Sequence, residues 1–174
     1  MIITFSGTDG SGKSTQIEIL MSEFIRQGFR VKYVWSRGGY TPLFSALKKI
    51  LRILTAKRLP NEGNSSSRDE LLKNKSVSGV WLTIATLDLL MFYGVYVRIM
   101  SWFGMVVVCD RYIEDTLIDF KRNFPDTFDD QSFLWRLLVL FIPRPNQSFL
   151  LFVPVDVSLI RSKMKGEQFP DTPE

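Results

Sequence analysis

The residues best equipped for chemistry lie at the start of the chain, where Gly7, Gly12, Lys13 and Ser14 fill the spacing G-x-x-x-x-G-K-[ST]. That spacing builds a phosphate-binding loop. Glycines at 7, 10 and 12 permit backbone turns that aim successive N–H groups at an anion. The Lys13 ammonium would reach the β- and γ-phosphates of a nucleotide, and the Ser14 hydroxyl would sit on Mg²⁺. The predicted nucleotide-binding set is Gly7, Gly10, Ser11, Gly12, Lys13, Ser14 and Thr15. A second cluster follows the apolar run MVVVC at 105–109, which ends at Asp110-Arg111-Tyr112. An acid at such a strand end could hold Mg²⁺ through water, or act on the group being phosphorylated. It could also be a plain helix N-cap. Arg111, next in sequence, could pair with a phosphate through two parallel hydrogen bonds, or form only a surface ion pair.

Composition removes other chemistries. With no histidine and a single cysteine, the chain has no His-containing zinc site and no Ser-His-Asp or Cys-His catalytic group. Cys109 lies inside an apolar run and reads as a small buried hydrophobe. A net charge of +4 suits small anionic substrates and is too mild to argue for nucleic acid as a partner. The N-terminal apolar run has no basic stretch before it and leads straight into the loop, so a cytoplasmic location is expected.

These groups need elements to position them. The run MIITFS at 1–6 reads as a buried parallel strand ended by Gly7, and residues 13–27 as a helix whose positive end faces the loop. Strands are expected at 30–35, 105–109 and 148–153, with helices at 42–55, 113–122, 131–142 and 156–165. The polar stretch 57–76 reads as a mobile loop. Residues 77–103 are apolar on nearly every helical face and long enough to span a bilayer. Asp88 in mid-span opposes that reading, so a long helix buried by its neighbours is expected, with a membrane role disfavoured. Its apolar surface is a candidate homodimer face. Alternating strands and helices predict one α/β domain over 1–174, a parallel sheet with helices on both faces.

These motifs together resemble the thymidylate kinase family. FSGTDGSGKST looks like its phosphate loop, Asp110-Arg111-Tyr112 like its D-R-Y/H motif, and residues 151–167 like its strand, helix and entry to the lid. The resemblance implies transfer of the ATP γ-phosphoryl to a small phosphorylated acceptor, with Mg²⁺. It makes Lys13, Asp110 and Arg111 catalytic, and Ser14 and Asp110 the metal-side residues. It matches Asp9 to an acid that contacts the acceptor's sugar, and Arg37 and Arg111 to ligands of the acceptor's phosphate. Arg161, Lys163 and Lys165 fall near the lid, at about 163–174. Where the family's long helix carries a base-reading arginine, this chain has Asp88, which implies a different acceptor contact and altered specificity. The chain stops at Glu174, so the strand and helix that would flank the adenine are expected to be missing. The alternatives are a kinase of a nucleoside, sugar or other metabolite, and a nucleotide-binding module without turnover.

Overall fold

The structure, a computed structural model, describes residues 1–8, 10–36, 74–154 and 156–158. The chain divides into two compact units, one of Met1–Ser36, Ile99–Tyr112 and Arg144–Glu174, the other of Arg37–Arg98 and Ile113–Pro143.

The first unit is built on a parallel sheet. Its strands are β1 (Ile2–Gly7), β2 (Val31–Trp35), β3 (Val106–Asp110) and β4 (Gln147–Leu151), in the order β2-β3-β1-β4. Both central strands are apolar along most of their length, as strands covered on both faces must be. β2 and β4, at the edges, are largely exposed. Helix α1 (Lys13–Arg26) presents Ile17, Leu20, Met21 and Phe24 to Ile3, Phe5, Val106 and Val108. The helical spacing of those four residues forms one stripe, and the strand residues alternate onto one face of the sheet.

The end of α1 is written in its sequence. Gly28 takes φ +85°, its N–H donates to Ile25 O, and the Phe29 N–H donates to Phe24 O. The Phe24 and Phe29 rings meet edge to face with centroids 5.7 Å apart. This is a Schellman ending with its hydrophobic contact.

The second unit is helical. Helix α2 runs from Lys75 to Trp102, and its residues up to Arg98 belong here. It is α-helical over Lys75–Leu89, π-helical over Leu90–Val97 and α-helical again from Arg98. It begins two residues before the expected start because the Asn74 side chain accepts a hydrogen bond from the Ser76 N–H at 3.0 Å. Leu82, Ala85, Leu89, Tyr93 and Val97 form its buried side. Val80, Leu87, Met91 and Val95 are exposed, so the apolar run is buried on one side rather than all round. By length and composition alone α2 could cross a membrane, with a mean hydropathy of 1.7 in its most apolar window.

Helices α3 (Ile113–Asn123) and α4 (Phe133–Phe141) complete the unit. α3 has Glu114 and Asp115 in its first turn and Lys121 and Arg122 in its last, each sign opposing the nearer end of the helix dipole. Phe120 of α3 makes ring contacts with Trp81, Phe124, Phe128 and Trp135 at centroid distances of 5.4–6.3 Å. The Arg98 guanidinium donates to Phe141 O at the last turn of α4, where carbonyls lack intrahelical donors.

The strands expected at 105–109 and 148–153 lie at Val106–Asp110 and Gln147–Leu151, and the helix expected at 131–142 spans Phe133–Phe141. The helix expected at 42–55, residues 57–73 of the polar loop and the lid residues lie outside the described residues.

Candidate active site

The phosphate loop joins β1 to α1, and backbone geometry explains its glycines. Gly7 takes φ +139°, and a Cβ there would stand 2.2 Å from Leu151 O on β4. No side chain fits that position. Gly12 takes φ +89° with open space around it, so its requirement is conformational alone. It also caps α1 without a side chain, and the Gln16 N–H donates to its carbonyl at 3.1 Å. The first turn of any helix has N–H groups with no intrahelical acceptor, and this end carries partial positive charge. Glycines at 10 and 12 leave the backbone of the loop free to turn its N–H groups toward an anion at that end.

Lys13 opens α1 and is buried. Its ammonium donates to Gly7 O at 2.8 Å and Thr8 O at 2.7 Å, which pins it across the loop it follows. Ser14 and Thr15 are exposed on the first turn, whereas Gly10 and Ser11 are buried within the loop.

Asp110 ends β3, and the strand register puts it opposite Phe5 of β1, two residues before Gly7. The acid and the phosphate loop therefore emerge from neighbouring parallel strands at their carboxyl ends, where ligands of such sheets bind. Asp110 is buried, and it is the last strand residue rather than the first residue after the strand. Its carboxylate Oδ2 accepts a hydrogen bond from the Tyr33 hydroxyl at 2.9 Å. Burial first, then the charge of Asp110 and this hydrogen bond, raise the Tyr33 phenol above its ordinary pKa, so it stays a donor.

Arg111 is the single non-glycine residue with positive φ among the described residues, at +75°. Its N–H donates to Phe5 O at 2.8 Å, continuing the β3–β1 ladder while the chain turns away. A left-handed arginine costs roughly 1–3 kcal/mol, and such strain gathers at ligand sites. Tyr112 is buried beside it.

The structure thus brings Gly7, Gly10, Ser11, Gly12, Lys13, Ser14, Thr15, Asp110 and Arg111 to one end of one sheet in the first unit. Asp88 belongs to the second unit, buried in α2 two residues before the π-helical segment. Asp9, Arg37, Arg161, Lys163 and Lys165 lie outside the described residues. Tyr33 is the site residue that sequence reasoning missed. Its only signal was alternation in RVKYVW, which puts Tyr33 and Trp35 on one face without naming the strand beside them. Cys109 is fully buried, as expected, and burial pushes its thiol up to about 12.

The chain is 27% identical over 172 residues to a probable thymidylate kinase of Pyrococcus abyssi, a match covering 94% of this chain and 70% of that protein. It is 23% identical over 184 residues to a thymidylate kinase of Herpetosiphon aurantiacus, covering 99% of this chain and 65% of that one. Among solved structures, the thymidylate kinase of Ehrlichia chaffeensis superposes with a TM-score of 0.50 at 22% identity, covering 94% of this chain and 82% of that chain. At that identity the likeness speaks to the fold, an α/β phosphate-loop fold with a parallel sheet. No family model matches the chain.

Proposed function

We propose that this chain, thymidylate kinase-like in sequence and fold, is a phosphotransferase that moves the γ-phosphoryl group of ATP to a nucleoside monophosphate. One observation carries the reading. A phosphate loop with its lysine pinned across it shares a sheet end with a buried acid and a left-handed arginine. Phosphoryl transfer asks for positioning and charge neutralisation more than covalent chemistry, and these are the groups that supply them.

In this reading the loop N–H groups and the head of α1 hold the nucleotide phosphates, and Lys13 neutralises charge as it develops on the transferring group. Mg²⁺ usually keeps several waters and takes only one or two protein oxygens beside the substrate phosphates. The Ser14 hydroxyl, exposed on the first turn of α1, and the Asp110 carboxylate at the end of β3 are oxygens of that kind, so the residues fit the ion. When bound, Mg²⁺ would offset phosphate charge. Arg111 and Arg37 would grip the acceptor's phosphate through their planar forks. Asp9 would bind its sugar.

The acceptor differs from thymidylate in this reading. Asp88 stands where the family reads the base with an arginine, so a carboxylate would face the thymine carbonyl with charge of the wrong sign. Buried groups left unpaired in this way cost about 1–3 kcal/mol, roughly ten- to a hundredfold in discrimination. The test is kcat/KM across dTMP, the other nucleoside monophosphates, nucleosides and phosphorylated sugars. The expected result is another nucleoside monophosphate ahead of dTMP by about that factor. A clear preference for dTMP would make Asp88 merely structural. Faster use of a nucleoside or sugar would move the acceptor class, and ATP binding without any product would leave a nucleotide-binding module.

A further inference from the structure

We infer that Tyr33 is a positioning residue for Asp110, fixing the carboxylate that serves the magnesium nucleotide. The inference rests on the role given to Asp110 above.

The geometry starts from register. On the parallel pair β2–β3, Trp35 lies opposite Asp110 and Tyr33 opposite Val108. Alternation puts Tyr33, Trp35, Val108 and Asp110 on the same face of the sheet, the one that α1 covers through Val108. A short side chain at 33 would fall a full pleat repeat short of Asp110. A tyrosine spans that diagonal, and its hydroxyl meets Oδ2 at 2.9 Å, an ordinary hydrogen-bond length.

The consequence is directional. Asp110 ends its strand, and the next residue leaves it in a left-handed turn. A hydrogen bond to one oxygen of a carboxylate in that place restricts rotation about its last bond. Tyr33 holds Oδ2 from the neighbouring strand, which limits the plane of the carboxylate and so the direction of Oδ1. A donor behind a ligating carboxylate commonly tunes ion affinity by ten- to a hundredfold. Tyr33 is 43% exposed on edge strand β2, outside the buried core.

The test uses Tyr33→Phe, which deletes one oxygen and keeps the ring, beside Asp110→Asn and the double variant. Thermal melting confirms that each is folded. The readout is ATP binding by calorimetry at graded Mg²⁺ concentrations, from which a Mg²⁺ midpoint is taken. Tyr33→Phe is expected to raise that midpoint about tenfold. Asp110→Asn should raise it further, and the double variant should match Asp110→Asn alone, because the hydroxyl acts only through the carboxylate. A midpoint within twofold of wild type for Tyr33→Phe, with Asp110→Asn shifted, overturns the inference and leaves the role of Asp110 standing. A further shift in the double variant also overturns it, since Tyr33 would then act elsewhere. If Asp110→Asn itself has no effect, the role of Asp110 falls and the inference falls with it.

Discussion

Gly7 shows how one atom can decide a loop. A methyl group there would stand 2.2 Å from a backbone oxygen of β4, and the φ of +139° is closed to L side chains. Gly7→Ala should therefore destabilise the protein by at least about 1–3 kcal/mol from strain alone, read as a lower denaturation midpoint. Gly12→Ala should cost less, since its Cβ meets nothing within 4 Å. Cys109 allows a pH prediction. Its thiol titrates near 9.0 when unconstrained and at about 12 in the fold, because burial disfavours the thiolate. Its contribution to stability is full below pH 9.0 and is lost as pH rises through about 12. Cys109→Ala should flatten the alkaline fall in melting temperature, and an unchanged slope would assign that fall to other groups. The loop and the Asp110-Arg111-Tyr112 triplet were legible in sequence because their chemistry is local. The Tyr33–Asp110 bond joins residues 77 positions apart, and only strand pairing brings them together.

The elements were legible where periodicity was clean. Apolar Ile17, Ile19, Leu20, Phe24 and Ile25 made α1 legible, although Ile19 and Ile25 are exposed and Met21 packs instead, and Gly28 follows its end. Helix α2 was legible in extent but not in kind. An apolar run says nothing of whether its hydrogen bonds close at four or five residues, so the π-helical Leu90–Val97 left no trace in composition. Its one-sided burial was also hidden, because exposed Val80, Leu87, Met91 and Val95 are as apolar as the buried column. Aromatic rings join α2 to α3 and α4, beside the Arg98 hydrogen bond to Phe141 O. Phe120, 2% exposed, touches the rings of Trp81, Phe124, Phe128 and Trp135. Phe120→Ala should cost roughly 3–5 kcal/mol in urea unfolding. A loss below about 1 kcal/mol would mean that the cluster closes over the gap.

For the molecule as a whole, the sheet order β2-β3-β1-β4 matters most, since it sets the phosphate loop beside Asp110. Strand patterns in the sequence predicted a parallel sheet, yet no single run carries its neighbour's identity. The order comes from crossover connections and from which strands can be covered on both faces. The chain spans 70% and 65% of the length of the two thymidylate kinases described above. The central claim is that the loop works as a phosphotransferase site. The most direct measurement is transfer of the γ-phosphoryl group from ATP to nucleoside monophosphates by the full chain and by Lys13→Ala, with melting temperatures taken in parallel. The wild type should form nucleoside diphosphate, and the variant should stay folded while losing roughly a hundredfold or more in rate, as when a charge-stabilising donor is removed. A folded Lys13→Ala protein that transfers phosphate as fast as the wild type would contradict the claim.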